Sequence, residues 1–166
     1  MTAAQKCVLL ALLVWAVAVH SQSQQADGDA VVHQARVSKH KSPPTITRDD
    51  GLSIVAAALD LRGVRRGEAD CSHLVHAIYS HAGFSYQYAS SSELYEGIDS
   101  FRRVSNPQPG DLVVWNGHVG IVVNPARRMF FSFLSQGPGV DAYNAQYWKD
   151  RGPLRFYRYI KAGFQP

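Results

Sequence analysis

The chain has 166 residues, a length that favours a single domain. Apolar residues make up 46% of it and charged residues 18%, which excludes global disorder because such a chain can bury a core. The net charge of +4 suits an anionic wall, a membrane surface or an acidic substrate. Nucleic acid is not expected as a partner, because the sequence has no Lys/Arg block with interleaved aromatic residues.

The N-terminus has the features of a signal peptide. Lys6 provides a positive charge, and an almost unbroken apolar run follows it through Val19. The run is shorter than the roughly 20 residues of a membrane-spanning helix, and Val19-His20-Ser21 fits a cleavage site. We therefore expect residues 1–21 to be removed and the protein to be exported to the periplasm, the cell wall or the extracellular space. Stable membrane insertion is not expected after cleavage; an uncleaved anchor is the alternative.

The next part of the chain is predicted to be a linker that leads into one folded domain. Residues 22–48 are polar, poor in large apolar side chains, and include Pro43-Pro44, which favours a flexible and partly extended segment. The domain is expected to cover residues 49–166. Its first helix is predicted over residues 52 to about 62, with Asp49-Asp50 as the cap and a helical repeat of apolar residues.

A central helix is predicted from Asp70, a favourable N-cap residue, to about His81, with Gly83 ending it. Cys71 lies in its first turn, where free backbone N–H groups and the helix dipole favour a thiolate. Signal cleavage would remove Cys7 and leave Cys71 without a partner for an internal disulfide. Cys71 is then either a small buried residue or an activated nucleophile.

The rest of the chain changes to a strand-like pattern after one further short helix, which is predicted from the capping box that Ser90 and Glu93 form. Strands are predicted over residues 101–104, 112–115, 118–123, 129–134 and 154–160, with a short helix or turn near residues 144–149. Asn116-Gly117 is typical of a tight hairpin turn, and Gly137-Pro138-Gly139 is expected to break the chain after the fourth strand. Helices followed by an antiparallel sheet predict an α+β fold.

Histidines offer a candidate partner for the thiol. His118 is the first residue after the hairpin turn, so it lies at a sheet edge that can face the start of the central helix. An imidazole in that position can hold a cysteine as a nucleophile, although an exposed turn residue is the alternative. His73 and His76 have a spacing seen in some metal sites, but no third ligand follows, so we interpret them as ordinary surface or half-buried histidines.

Two motifs together resemble a known family. Asp70-Cys71-Ser72 with Leu74-Val75, followed by Gly110-Asp111-Leu112-Val113 with Trp115 and by Gly117-His118-Val119-Gly120-Ile121, resembles the NlpC family of papain-like cysteine peptidases. These are bacterial cell-wall hydrolases, and the resemblance covers about residue 50 to the C-terminus. The related CHAP amidases share the order of cysteine and histidine but match the Asp-Cys-Ser segment less well.

The resemblance implies a papain-like fold in which the nucleophile cysteine starts a helix packed on an antiparallel sheet. It implies cleavage of peptidoglycan peptide stems, usually between D-glutamate and diaminopimelate, through an acyl-enzyme on Cys71 with His118 as the base. Asp70, Ser72 and Trp115 belong to the matched motifs and are expected to bind substrate. No metal and no organic cofactor are implied, and we expect a monomer.

The chain also departs from the family pattern. His73 stands where the family usually has glycine, and the residue that orients the histidine, commonly His, Asn or Gln, corresponds here to Ser132, with Gln136 farther along. The upstream segment that supplies an active-site tyrosine is not recognisable in residues 61–67. These departures keep two alternatives open. One is a wall-binding module with weak or no activity, and the other is a thiol acyltransferase or amidase.

Overall fold

A computed structural model describes residues 42–61 and 70–161 of the chain. The predicted signal peptide, most of the predicted linker, residues 62–69 and the last five residues of the predicted domain lie outside the described residues. Within the described part, none of the helices combines the length and the apolar character that a membrane crossing requires.

The described residues form four helices and six strands, which confirms the predicted α+β class. The helices are α1 (Arg48–Asp60), α2 (Cys71–His81), α3 (Ser91–Glu96) and α4 (Gln146–Asp150). The strands are β1 (Phe101–Val104), β2 (Leu112–Trp115), β3 (His118–Asn124), β4 (Met129–Leu134), β5 (Gly137–Ala142) and β6 (Arg155–Tyr159).

The strands form one antiparallel sheet in the order β1-β6-β2-β3-β4-β5. The last strand of the chain therefore lies between β1 and β2. The predicted hairpin turn is present, since Trp115 pairs with His118 and Gly117 has a φ of 83°, a left-handed conformation that glycine adopts without strain. This turn places His118 at the start of β3.

The start of the packed domain differs in detail from the prediction. Thr47, and not Asp49 or Asp50, is the N-cap of α1, while Asp50 supplies the return bond of a capping box. The helix consequently begins at Arg48, ahead of the predicted residue 52. Thr45 bridges to Ile160, and Ile46 is 2% exposed, so the last residues of the predicted linker are packed against the described domain.

Gly137-Pro138-Gly139 ends β4 as predicted, but it also begins a strand that the sequence did not predict. Pro138 pairs with Phe133 and Gly139 with Ser132 in the β4–β5 ladder. β5 is an edge strand, where the missing N–H of proline breaks no bond of the sheet interior.

The sheet has two differently covered faces. One, which we call the α2 face, packs side chains such as Val114, Val119 and Phe131 into a core with α1, α2 and α3. The other, which we call the α4 face, is aromatic and is covered by Trp148 from α4. Its members include Trp115 and Phe130. Because side chains alternate along a strand, consecutive residues of β3 point to different faces.

A buried ion pair joins the last strand to the beginning of β2. The Asp111 carboxylate is completely buried, and Arg158 of β6 donates to its two oxygens at 2.9 and 2.8 Å. The backbone N–H of Gln108 also donates to it at 2.8 Å. Burial raises the pKa of Asp111, while Arg158 opposes that change. Removing one member of such a pair leaves an uncompensated buried charge.

Candidate active site

The start of α2 is organised by Asp70. Its Oδ1 accepts hydrogen bonds from the backbone N–H groups of Ser72 and His73, both at 2.9 Å, which is the predicted N-cap. Burial opposes ionisation of this carboxylate, but hydrogen bonds from His73 and Ser72 outweigh it and lower its pKa to about 2. The capped turn places Cys71 at the first position of the helix.

The Cys71 thiol is partly buried beside the core of the α2 face. Burial raises its pKa, although backbone N–H groups of Val119, Ser72 and Cys71 itself point at the sulfur and act in the opposite direction. The expected preference for a thiolate at this helix start is therefore outweighed by desolvation. Cys71 is therefore a neutral thiol at neutral pH, and a thiol in this state needs a base to become a nucleophile.

His118 lies on the α4 face and is 8% exposed. Its ring lies 4.7 Å from Trp148, centroid to centroid, at an angle of 33°, and Trp148 in turn lies 4.8 Å from Trp115. These three rings form what we call the aromatic stack. Burial lowers the pKa of His118 to about 4, and the positive charge of Arg151 contributes to the shift. The imidazole is therefore neutral at pH 7, as a general base must be.

Ser132 determines which nitrogen of His118 carries the proton. Its hydroxyl donates to the Val119 carbonyl oxygen at 2.6 Å and lies 3.0 Å from His118 Nε2. A serine hydroxyl has one hydrogen, which the carbonyl takes, so toward the imidazole the oxygen is an acceptor. The hydrogen-bond network thus assigns the proton to Nε2 and leaves Nδ1 as the basic nitrogen.

The peptide groups of Val119 connect the two halves of the site. Its N–H points at Cys71 Sγ, and its carbonyl accepts the Ser132 hydroxyl. The β3–β4 pairing ends at Ile121 and Phe131, so Val119 lies beyond it. The Ser132 hydroxyl therefore contacts the His118 imidazole, whereas the Cys71 sulfur lies beside the backbone of Val119, the residue that follows His118. Among the described residues, no hydrogen bond joins Sγ to the imidazole directly.

Gly120 allows β4 to lie close enough for this arrangement. A Cβ atom at that position would overlap the Phe130 ring and lie 2.7 Å from the Phe131 carbonyl oxygen. Gly120 therefore permits a close approach of another backbone, that of the strand carrying Ser132.

The three residues that are expected to bind substrate differ in their exposure to solvent. Asp70 is exposed, and its Oδ2 has no hydrogen-bond partner in the described part of the chain, so it stays a candidate. Trp115 is 0% exposed beneath Trp148. Ser72 is 3% exposed, and its hydroxyl bonds to Asp70 and Tyr88.

Tyr88 supplies a phenol beside the start of α2. Its OH lies 3.0 Å from Ser72 Oγ and 3.3 Å from His73 Nδ1, and its ring is 4.5 Å from that of His73. His73 also contacts Asp70 Oδ1 at 3.0 Å. His73 thus belongs to a polar cluster at the helix start, and no cluster of three or more potential metal ligands occurs in residues 42–61 and 70–161.

Sequence reasoning missed Trp148 and Arg151, which lie beside His118 but far from it along the chain. Trp148 donates from Nε1 to Asp141 Oδ2 at 2.7 Å, and Arg151 follows directly after α4. The only signal was the neighbouring aromatic pair Tyr147-Trp148 in a short predicted helix. Nothing in that pattern indicates which part of the sheet the helix covers.

The chain resembles known proteins in sequence and in fold. The model of the NlpC/P60 family matches residues 59–154, more than half of the chain. A Staphylococcus aureus protein described as similar to a lipoprotein of the NLP/P60 family superposes with a TM-score of 0.55 at 22% identity, covering 74% of this chain and 45% of that one. The peptidoglycan hydrolase RipB from Mycobacterium tuberculosis superposes with a TM-score of 0.51 at 16% identity, covering 69% of this chain and 66% of RipB.

These two similarities establish a shared fold, the papain-like arrangement that the sequence predicted. The chain spans less than half of the staphylococcal protein and about two thirds of RipB. No curated protein sequence gives a significant match.

Proposed function

Because the chain belongs to the NlpC/P60 family, we propose that it is an exported cysteine hydrolase that cleaves the peptide stems of bacterial peptidoglycan. The observation that supports this most directly is the network through Val119, whose N–H points at the Cys71 sulfur and whose carbonyl oxygen accepts the hydroxyl of Ser132, which contacts His118 in turn. The bond between D-glutamate and diaminopimelate is the proposed target.

Acylation begins with Cys71 as a neutral thiol and His118 as a neutral imidazole. When substrate binds, His118 Nδ1 closes on Cys71 and accepts its proton while Sγ attacks the peptide carbonyl carbon. Backbone N–H groups near Sγ stabilise the oxyanion of the tetrahedral intermediate. The C–N bond then breaks, His118 returns the proton to the leaving amine, and the acyl group stays on Cys71 as a thioester.

Deacylation uses the same residues in reverse order. His118 Nδ1 removes a proton from water, and the resulting hydroxide attacks the thioester carbonyl. The C–S bond breaks, the acid product leaves, and His118 returns the proton to Cys71. Ser132 accepts from Nε2–H throughout, so it favours the tautomer that can act as a base and stabilises the imidazolium that forms. Residues in these roles need no metal ion.

The proposal is tested by digesting purified peptidoglycan with the chain from residue 22 onward. Cys71→Ala is the control, with its folding checked by circular dichroism, and the products are read by mass spectrometry. New peptide-stem fragments from the unmodified chain alone are expected, and their ends identify the bond.

Two other outcomes would replace the proposal. Absence of fragments from both folded proteins, together with sedimentation of both with cell-wall sacculi, would indicate a binding module. Products that carry a new amide only when an amine is supplied would indicate an acyltransferase.

A further inference from the structure

A groove of about 520 Å³ lies beside His118 on the α4 face. It runs between the turn that joins β4 to β5 and the helix α4, and the residues that line it include His118, Phe133, Pro138, Asp141, Trp148 and Arg151. Cys71 is not among them. The groove therefore lies beside His118, the proposed base, and not beside Cys71, the proposed nucleophile.

Arg151 provides an available positive charge in this groove. Its guanidinium carbon lies 5.5 Å from the ring centroids of both Tyr147 and Trp148, so the two rings form a shelf beneath it. The side chain makes no ion pair with any carboxylate of the described residues. A guanidinium held on aromatic rings is well suited to bind a carboxylate.

Asp141 is the carboxylate that lines the same groove, but its two oxygens are already engaged. Oδ2 accepts from Trp148 Nε1 at 2.7 Å, and Oδ1 accepts from the Ala142 backbone N–H at 2.7 Å. Arg151 is also near enough to His118 for its charge to lower the pKa of that imidazole. An anion on Arg151 would thus lie within electrostatic reach of the base.

We propose that this groove binds the leaving-group side of the substrate and that Arg151 binds a carboxylate on the residue whose amine departs. This inference rests on the proposed function. During acylation the acyl part stays on Cys71, whereas the departing amine takes its proton from His118, so the leaving group must lie beside His118. The groove is the surface there, and Arg151 is its available cation.

The inference defines a substrate class. Stems whose leaving residue carries a free carboxylate, at its side chain or its C-terminus, are preferred over stems in which that group is an amide. They are also preferred over stems whose leaving residue has only a cationic side chain, because Arg151 would repel it.

The experiment compares two synthetic stem peptides that differ in one group, a free carboxylate or a carboxamide on the leaving residue. We expect kcat/KM to be about tenfold higher for the acid, in the range of a charge-assisted contact at a partly solvated site. Arg151→Gln should bring the ratio close to one. Arg127→Gln, an exposed arginine in the turn at the other end of β3, should keep the full ratio.

A binding measurement separates this inference from the proposed function. In Cys71→Ala, the free leaving-group acid and its amide are titrated and followed by the NMR signal of the Trp148 indole N–H. Tighter binding of the acid, lost in Cys71→Ala/Arg151→Gln, supports the subsite even if no peptide is cleaved. Equal binding of acid and amide, or a preference that survives Arg151→Gln, overturns it whatever the hydrolysis assay shows.

Discussion

The two faces of the sheet contribute to the site in different ways. On the α2 face, Cys71 is positioned by residues adjacent to it in sequence, since Asp70 caps the helix that Cys71 begins. On the α4 face, His118 is positioned by residues from separate segments, because Ser132 comes from β4 and Trp148 from α4. The position of Cys71 therefore depends on local structure, whereas the position of His118 depends on tertiary packing.

The faces are alike in one respect, because burial keeps both reacting groups neutral. It raises the pKa of the Cys71 thiol and lowers that of the His118 imidazole, since it disfavours the charged form in each case. In the proposed mechanism the proton therefore moves from Cys71 to His118 during attack, and the two side chains do not start as an ion pair. The following experiments act on one face at a time.

The largest effect is expected from removing the base. His118→Gln should lower the rate of stem-peptide hydrolysis about 1,000-fold, because no group then accepts the thiol proton. The thermal unfolding midpoint, measured alongside, checks that the loss is chemical. A variant that keeps more than a tenth of the activity would show that another group is the base.

Acid should destabilise the protein through the same side chain. The pKa of His118 is about 4 in the folded state and about 6.5 when unfolded, so the unfolded chain takes up the proton first as pH falls. The stability contributed by the neutral ring is complete above about pH 6.5 and is lost toward pH 4, a change of about 3 kcal/mol.

Urea unfolding at pH 7 and pH 4 measures this change, with His118→Gln as the matched control. The difference in the free energy of unfolding between pH 7 and pH 4 should be smaller in His118→Gln by about 3 kcal/mol. Equal differences in both proteins would mean that the imidazole titrates normally in the folded state.

Loss of the orienting hydroxyl should have a smaller effect on activity. Ser132→Ala leaves Nε2–H without its acceptor and Val119 C=O without its donor, so we expect kcat to fall about 10- to 100-fold. The ¹⁵N chemical shifts of His118 report the tautomer. A fall in kcat with unchanged shifts would show that Ser132 does not set the protonated nitrogen.

The smallest effect is expected on the α2 face, away from the reacting atoms. Tyr88→Phe removes the hydroxyl that contacts Ser72 and His73, but Asp70 still caps the helix. We expect kcat/KM to change by less than about threefold, as for one exposed neutral hydrogen bond. A change of 100-fold would place Tyr88 in contact with the substrate.

The sequence predicted the elements whose signals are local. The aspartate cap predicted the start of α2, and Asn-Gly predicted the turn before His118, where Gly117 has the positive φ that such turns require. Ser132 was found by its position relative to the family motif. Each of these features depends on a few consecutive residues or on a known spacing.

The features that the sequence did not predict depend on contacts between distant segments. The Gly137-Pro138-Gly139 segment was predicted only to break the chain. Its pairing with β4 was not predicted, because it becomes evident only once β5 is known to be an edge strand. The burial of Trp115 was not predicted, because nothing in its own strand indicates that Trp148 covers it. The sequence likewise did not predict that Arg151 lines the groove beside His118, because that depends on contacts between distant segments.

The position of β6 affects when the described domain can fold during synthesis. This strand is the last of the described strands along the chain, yet it lies between β1 and β2, and Arg158 neutralises the buried Asp111 beside the hairpin that carries His118. A nascent chain without β6 has an open edge on β2 and a carboxylate without its cation, which costs about 3–5 kcal/mol in comparable buried pairs. The described domain therefore stays unassembled until β6 has been made, and protease sensitivity of chains stalled before residue 155 would measure this delay.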